Sequence, residues 1–98
     1  MSKDSVAIYY TTKHSWRGKY KRLFAVRQDG IATFNPNAPL DVTNEWPWSE
    51  LNGLSLDSKS RSPSEFILSI RKKGKVDNMR FSSEHRDELL TEAMQFYK

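Results

Sequence analysis

Two runs of cations are the features of this sequence that could bind a charged ligand. The first run has five basic side chains within ten positions: Lys13, Arg17, Lys19, Lys21 and Arg22. Trp16 lies within this run, and the second run is Arg71-Lys72-Lys73-Gly74-Lys75. Such cations bind phosphate groups, but a run of like charge considered alone is also typical of a solvated face or turn. Whether the fold brings the two runs together decides between these interpretations.

Trp16 is unusual in such a run because an indole ring is awkward in water. One interpretation packs Trp16 over the domain as ordinary core, since tryptophan is highly buried on average. The other places the indole at a membrane interface, while Lys13, Arg17 and Lys19 bind the phosphates of an anionic headgroup. Basic residues near an anionic membrane contribute about 1 kcal/mol each, so this attraction would be weak and would decrease with salt.

Other chemistry has little support in the sequence. The chain has no cysteine, and its four glycines are too far apart for a phosphate-binding loop or a dinucleotide fingerprint. The two histidines are His14 and His85, and Glu84 and Glu88 beside His85 give too few ligands for a metal site. No motif positions a serine, a histidine and an acid for catalysis. The sequence therefore predicts a binding module, with no enzymatic activity, cofactor or metal.

Nucleic acid is an anionic ligand that the sequence disfavours. A net charge of +4 is modest for binding a phosphate backbone. Single strands stack on several aromatic rings of one exposed face, whereas most aromatic residues here alternate in step with the predicted core. We therefore expect no nucleic-acid partner.

The length and composition fit one cytosolic domain. Ninety-eight residues lie within the usual range for a domain, and hydrophobic residues make up 37% of them. No apolar run approaches the roughly 18 residues of a transmembrane helix, and the first residues lack the pattern of a signal or transit peptide. We expect residues 1–98 to form a single domain that is monomeric in isolation.

Seven segments have the composition or the alternation of β-strands. They are residues 6–12, 19–27, 31–34, 40–48, 51–56, 66–71 and 76–81. Residues 13–18 are predicted as a basic loop, and residues 57–64, rich in serine, as a mobile loop.

After Phe81 the hydrophobic period changes to that of a helix. Ser82 or Ser83 can cap this helix, which has room for about fifteen residues and a length of roughly 22 Å. Its apolar residues are Leu89, Leu90, Ala93, Met94, Phe96 and Tyr97. Seven short strands and one amphipathic helix predict a mainly β fold, a small antiparallel barrel or sandwich plugged by the C-terminal helix.

Several segments of the chain resemble a known family. Residues 19–26 and 29–34 are similar to the second and third strands of pleckstrin homology domains. Residues 9–22, 35–37, 42–47 and 81–93 are similar to the N-terminal pleckstrin-homology-like region of the receptor-mediated endocytosis J-domain family, endosomal co-chaperones of DnaJ subfamily C. The resemblance implies a pleckstrin-homology-like seven-stranded antiparallel barrel or sandwich with a C-terminal helix, as the N-terminal piece of a much longer chain.

The resemblance also implies a ligand. The family's N-terminal domain looks like a reader of phosphatidylinositol 3-phosphate on early endosomes, with lipid-binding determinants that fall on Lys13 and Trp16. In pleckstrin homology folds the first-to-second and sixth-to-seventh strand loops lie at the open end of the barrel, which would bring the two basic runs into one patch. The predicted lipid-binding residues are Lys13, Trp16, Arg17, Lys19, Lys21, Arg71, Lys72 and Lys73.

The setting implied by the resemblance is endosomal membrane trafficking. The domain would be cytoplasmic and peripheral on the early endosome membrane. No His-Pro-Asp motif of a J domain occurs in these residues. A heat-shock cognate chaperone and the sorting machinery would therefore be partners of the rest of the parent chain.

A second function stays open from the sequence, that of a protein-interaction module of the same superfold. An exposed strand edge or the Trp46-Pro47-Trp48 corner would dock a peptide. Packing between strand and helix also explains this corner. Salt distinguishes the two functions, because lipid capture weakens steeply with salt whereas an apolar groove hardly responds.

Overall fold

The computed structural model describes residues 7–56 and 63–96, with only the backbone of residues 39 and 40. Within these ranges the strands are β1 (Ala7–Ser15), β2 (Gly18–Val26), β3 (Gly30–Asn35), β4 (Ala38–Pro47), β5 (Leu51–Ser55), β6 (Glu65–Lys72) and β7 (Lys75–Ser82). A short 3-10 helix, Trp48–Glu50, follows β4, and the α-helix α1 spans Arg86–Phe96. Neighbouring strands are antiparallel, in the order β4-β3-β2-β1-β7-β6-β5. The predicted mainly β fold with a C-terminal helix is confirmed.

Strand alternation places the core on one face of the sheet. In β6, Phe66, Leu68 and Ile70 are buried, as their spacing predicts. The rings of Phe24, Phe66 and Phe81 contact one another, with centroids 5.3 to 5.8 Å apart. Aromatic pairs of this kind contribute about 0.5–1.5 kcal/mol beyond the area that they bury. These rings define the inner face of the barrel.

Helix α1 packs on one end of this core. Leu89 and Ala93 are buried within the core, and the half-buried Leu90 and Phe96 pack against it. The prediction that Met94 shares this face is wrong, because its side chain is 48% exposed. Each helical residue rotates by about 100°, which turns Met94 away from the face of Leu89 and Ala93. Tyr97 lies outside the described residues.

Among the residues that the structure describes, no helix is long and apolar enough to cross a bilayer.

Ser83 provides the capping side chain at the start of α1. Its hydroxyl oxygen accepts a hydrogen bond from the backbone N–H of His85 at 3.1 Å and donates one to the carbonyl of Tyr10 at 2.9 Å. Ser82 has a different partner, the Nε2 atom of His14 at 2.8 Å. Ser83 thus joins the helix start to β1.

The first hairpin is longer than predicted. β1 and β2 pair along their whole lengths up to Ser15 and Gly18, so the turn consists of Trp16-Arg17 alone. The prediction of a loop over residues 13–18 is therefore wrong. Both strands supply the backbone partners that keep residues 13–15 extended, and the Arg17 N–H donates to Ser15 Oγ at 3.1 Å.

The end of β4 also differs from the prediction, because Trp48 begins the 3-10 helix instead of extending the strand. The Trp48 indole N–H donates to the carbonyls of Arg27 and Gln28 at 3.0 and 3.1 Å. Its ring stacks on Phe96 of α1, with the centroids 5.8 Å apart. Packing between strand and helix therefore explains Trp48. The loop predicted over residues 57–64 lies mostly outside the described residues.

Candidate functional site

A groove of about 510 Å³ lies on the inner face of the barrel, beyond the end of the core. Its cationic lining residues are Lys13, Lys72, Lys73 and Lys75. Asn44 and Asp77 are polar neighbours, and the apolar wall consists of Trp46, Ile70 and Met79. We call this cavity the mouth groove.

Alternation along the strands explains why these lysines point into the groove. Lys75 and Asp77 lie on the same face of β7 as the buried Phe81, because they precede it by even numbers of residues. Lys72 follows the buried Ile70 by two residues in β6. Lys13 in β1 lies directly opposite Phe81. The inward-facing positions thus change from apolar residues to lysines where the core ends.

The mouth groove and the helix lie towards opposite ends of β1. Tyr9 donates a hydrogen bond to the carbonyl of Glu88 in α1 at 3.5 Å. Lys13 is four residues further along the strand, a distance of about 13 Å. The groove is therefore at the open end of the barrel.

The turn between β6 and β7 concentrates positive charge. Lys73 and Gly74 have φ values of 52° and 80°, as a two-residue type I′ turn requires. This turn places Lys72 directly opposite Lys75. Like charges in such a position repel each other and destabilise the hairpin. A bound anion would relieve this repulsion.

The groove lysines form no ion pairs with the described residues. The ion pairs given there are Arg27–Glu45, Arg80–Glu65, His85–Glu88 and Arg86–Asp87. None of the four groove lysines has a described carboxylate within 4.0 Å. Their ammonium groups are therefore available to a ligand.

The Trp16-Arg17 turn presents an exposed aromatic ring. Trp16 is 88% exposed, so the interpretation of this residue as packed core is wrong. The Arg17 guanidinium lies 4.9 Å from the centroid of the indole ring. The pair thus offers an apolar surface and a cation at the tip of the hairpin that carries Lys13.

The other predicted lipid-binding residues face elsewhere. Lys19 and Lys21 alternate with the inner-facing positions of β2, and Arg71 alternates with Ile70 and Lys72 in β6. The Lys21 ammonium donates to Thr12 Oγ1 at 3.4 Å, beside a second cleft of about 650 Å³. Of the predicted cations, the structure thus brings Lys13, Lys72 and Lys73 together in the groove. Lys19, Lys21 and Arg71 lie on the outer surface of the sheet.

Four residues of the groove are not among the predicted lipid-binding residues: Lys75, which belongs to the second basic run, and Asn44, Trp46 and Asp77. The signal for Lys75 was its even spacing from Phe81, which puts both residues on one face of β7. Asn44 and Trp46 come from β4, so no local pattern joins them to the lysines. Only the curvature of the sheet brings β4 near the β6–β7 turn.

The histidines have partners outside the groove. His14 lies in β1 instead of a loop and hydrogen-bonds with Ser82, while His85 Nδ1 lies 3.2 Å from a carboxylate oxygen of Glu88. Within residues 7–56 and 63–96, no three histidine or acidic side chains are arranged to hold a metal ion.

Comparison with known sequences connects the domain to a family. Residues 8–98 match the family described as DNAJ protein RME-8 N-terminal domain. The chain belongs to this family. A relative, DnaJ homolog subfamily C GRV2 of Arabidopsis thaliana, is 41% identical to it over 97 residues. This match covers 91% of the chain but only 4% of that relative, so the RME-8 N-terminal domain is a small part of the curated protein that it matches.

Two of the solved structures similar to the RME-8 N-terminal domain contain FERM domains. The complex of the FERM and C-terminal domains of Drosophila Merlin has a TM-score of 0.72 and 21% identity, and the match covers 97% of this chain and 30% of the Merlin chain. The MyTH4-FERM MF2 domain of Dictyostelium discoideum myosin VII has a TM-score of 0.69 and 16% identity. This match covers 97% of the chain and 17% of the myosin chain. At these identities the likeness shows the pleckstrin-homology-like and FERM-like fold alone.

Proposed function

We propose that this RME-8 N-terminal domain binds the phosphorylated headgroup of an anionic membrane lipid in the mouth groove. The observation that carries the proposal is the convergence of four lysines, without carboxylate partners among the described residues, in one cavity. The groove lies beyond the core at the open end of the barrel, where a headgroup can enter it.

The exposed indole of Trp16 supports membrane contact in this proposal. Indole rings are favoured at the boundary between headgroups and acyl chains, and Arg17 beside the ring can pair with a phosphate. Trp16 would enter the membrane interface while the groove lysines bind the headgroup. The lipid that we propose is phosphatidylinositol 3-phosphate, as the family resemblance implies.

The strength of this attraction is modest. Each lysine near an anionic surface contributes about 1 kcal/mol, so four contribute about 4 kcal/mol, close to a millimolar dissociation constant. In the proposed role, the domain recruits a DnaJ protein to early endosomes for endocytic sorting. Further contacts of the parent chain with the membrane would raise the overall affinity. The rest of that chain would engage a heat-shock cognate chaperone and the sorting machinery.

Liposome co-sedimentation of the isolated domain tests this proposal. Vesicles carry phosphatidylinositol 3-phosphate, phosphatidylinositol 4-phosphate at equal charge, or phosphatidylserine, each at low and at physiological salt. Lys13→Ala should weaken binding about fivefold, and Trp16→Ala about tenfold because it removes apolar burial. Lys21→Ala removes the same charge from the outer face and should have a smaller effect. Unchanged binding by both Lys13→Ala and Trp16→Ala would contradict the proposal.

Peptide docking is a second candidate, supported by the sheet topology. β4 and β5 are the outer strands in the order of the described sheet, so each has a neighbour on one side only. An extended peptide can add to such an edge through backbone hydrogen bonds. Capture that does not change with salt and persists in Lys13→Ala would favour this function over lipid binding.

A further inference from the structure

A row of apolar residues crosses the outer face of the sheet, on the side of β1 and β2 away from the mouth groove. Its members lie directly opposite one another on four neighbouring strands: Tyr10 in β1, Leu23 in β2, Phe34 in β3 and Val42 in β4. We call these four residues the outer row. Tyr10 is 75% exposed and Val42 45%, while Leu23 and Phe34 are half-buried. The solvent side of an antiparallel sheet usually carries polar residues, so this row is unusual there.

The core does not account for the outer row. None of its four residues is among the described ones that form the core or pack against it. Ile8, two residues before Tyr10 on the same face of β1, adds a side chain that is 54% exposed. The Arg27 guanidinium lies 5.1 Å from the centroid of the Phe34 ring and is also paired with Glu45 at 3.5 Å. Contiguous apolar surface with a polar rim is typical of an interaction site.

A cleft lies at the Tyr10 end of the outer row and has a volume of about 650 Å³. Its lining includes Tyr10 and Lys21, the β3–β4 turn at Pro36, and residues 82–85 before α1. This volume is within the range of about 300–1,000 Å³ that ligand sites occupy. The surface thus combines a flat apolar row with a recess that can receive a side chain.

Two lysines border the outer row and give the surface a sign of charge. Lys21 and Lys19 precede Leu23 in β2 by two and four residues, so they share its face. No described carboxylate lies within 4.0 Å of either ammonium group. Glu84 also lines the cleft, but it follows β7, and β1 lies between β7 and the strand of Lys21. The side of the cleft formed by β2 is therefore positive.

We propose that the outer row and this cleft dock a segment of a partner protein in which acidic residues lie next to apolar ones. Its apolar side chains pack on Tyr10 and Phe34, and a carboxylate pairs with Lys21. Tyrosine is enriched among the residues that dominate binding at protein interfaces. A second copy of the domain fits this face less well, because a symmetric interface would bring Lys19 and Lys21 of both copies together. The inference is independent of the proposed headgroup site, which uses the inner face.

Selection from a phage-displayed library of random dodecapeptides on the isolated domain tests this inference. The variant with both Tyr10→Thr and Lys21→Glu serves for counter-selection, and fluorescence anisotropy of a labelled synthetic peptide measures the affinity. We expect the selected peptides to combine acidic with aliphatic or aromatic residues, and their binding to weaken with salt. Tyr10→Thr and Lys21→Glu should each reduce the affinity about tenfold. Both side chains are exposed, so thermal unfolding of the two variants should stay close to that of the wild type.

Matched controls separate the outer face from the rest of the surface. Lys75→Glu reverses the same charge in the mouth groove, and Val76→Thr removes an apolar group that is exposed on the outward side of β7. Both should bind the selected peptides as the wild type does. No enriched peptide, or equal weakening by Lys21→Glu and Lys75→Glu, would overturn the inference. Liposome binding that falls as much in Tyr10→Thr as in Trp16→Ala would also overturn it, because the outer row would then be a membrane contact.

Discussion

Lys13 contributes to the fold and, in the proposed function, to the headgroup site. It is half-buried opposite Phe81, so its aliphatic stem lies at the edge of the core while its ammonium group reaches the groove. Replacing this side chain changes a surface charge and a small packing contact together. Trp16 differs, since 88% of its surface is exposed and its removal costs the fold little.

Tyr9, which lies far from the groove, should make the free energy of unfolding depend on pH. Burial raises the pKa of Tyr9 above its usual value of 10.0, and the carboxylates of Glu92 and Glu88 raise it further. The unfolded chain therefore loses this proton at lower pH than the folded domain. The free energy of unfolding should decrease as the pH rises above 10.0, and should decrease less in Tyr9→Phe.

Urea unfolding across the alkaline range, with an absorbance titration of the tyrosines, measures this effect. Tyr20→Phe is the control, because it removes a tyrosine from the open end of the barrel. An equal alkaline decline in the wild type and Tyr9→Phe would show that Tyr9 does not contribute to it.

At the scale of elements, the positive charge of the β6–β7 hairpin lowers its stability. Lys72 and Lys75 lie directly opposite each other and repel. Lys72→Glu should raise the free energy of unfolding by about 0.2–1 kcal/mol, because it replaces repulsion by an opposite-charge pair. The same change should weaken liposome binding, since it removes a groove cation.

Urea unfolding in low salt, with Arg71→Glu as the control, measures the stability change. Arg71 lies opposite Val76, so its substitution alters the net charge equally without creating a cross-strand ion pair. Equal stability changes in Lys72→Glu and Arg71→Glu would contradict the role assigned to cross-strand repulsion.

The elements also show what the sequence could and could not predict. The alternation of Phe66, Leu68 and Ile70 indicated β6 and its buried face, and the helical spacing placed Leu89 and Ala93 in the core. The sequence predicts a loop over residues 13–18, because their polar and basic side chains together with Gly18 have the composition of a loop. Extended backbone there depends on pairing with β2, which local composition does not show.

The same limit applies to the candidate site. The two basic runs were visible in the sequence, but only strand parity separates Lys72, which faces the groove, from Arg71, which faces outwards. Asp77 faces the groove by the same parity in β7, whereas Asn44 reaches it through the curvature of the sheet, which brings β4 near the β6–β7 turn. The sequence therefore indicated that the site is basic, but not which residues line the groove.

At the scale of the whole molecule, the helix and the mouth groove lie at opposite ends of the barrel. Helix α1 completes the core at the end where Tyr9 and Trp48 contact it. The open end can then carry lysines whose repulsion affects one hairpin and leaves the core intact. The domain covers 4% of its Arabidopsis relative, so in the proposed function weak lipid binding would act together with other contacts of a larger protein.

The most direct test of the central claim is a nuclear magnetic resonance titration of the isotope-labelled domain with inositol 1,3-bisphosphate. We expect the largest backbone amide shifts at Lys13, Lys73 and Asp77, around the mouth groove, with those of Leu89 and Ala93 in α1 unchanged. Shifts confined to the helix or to β5, or none at millimolar ligand, would contradict the assignment of the groove as the headgroup site.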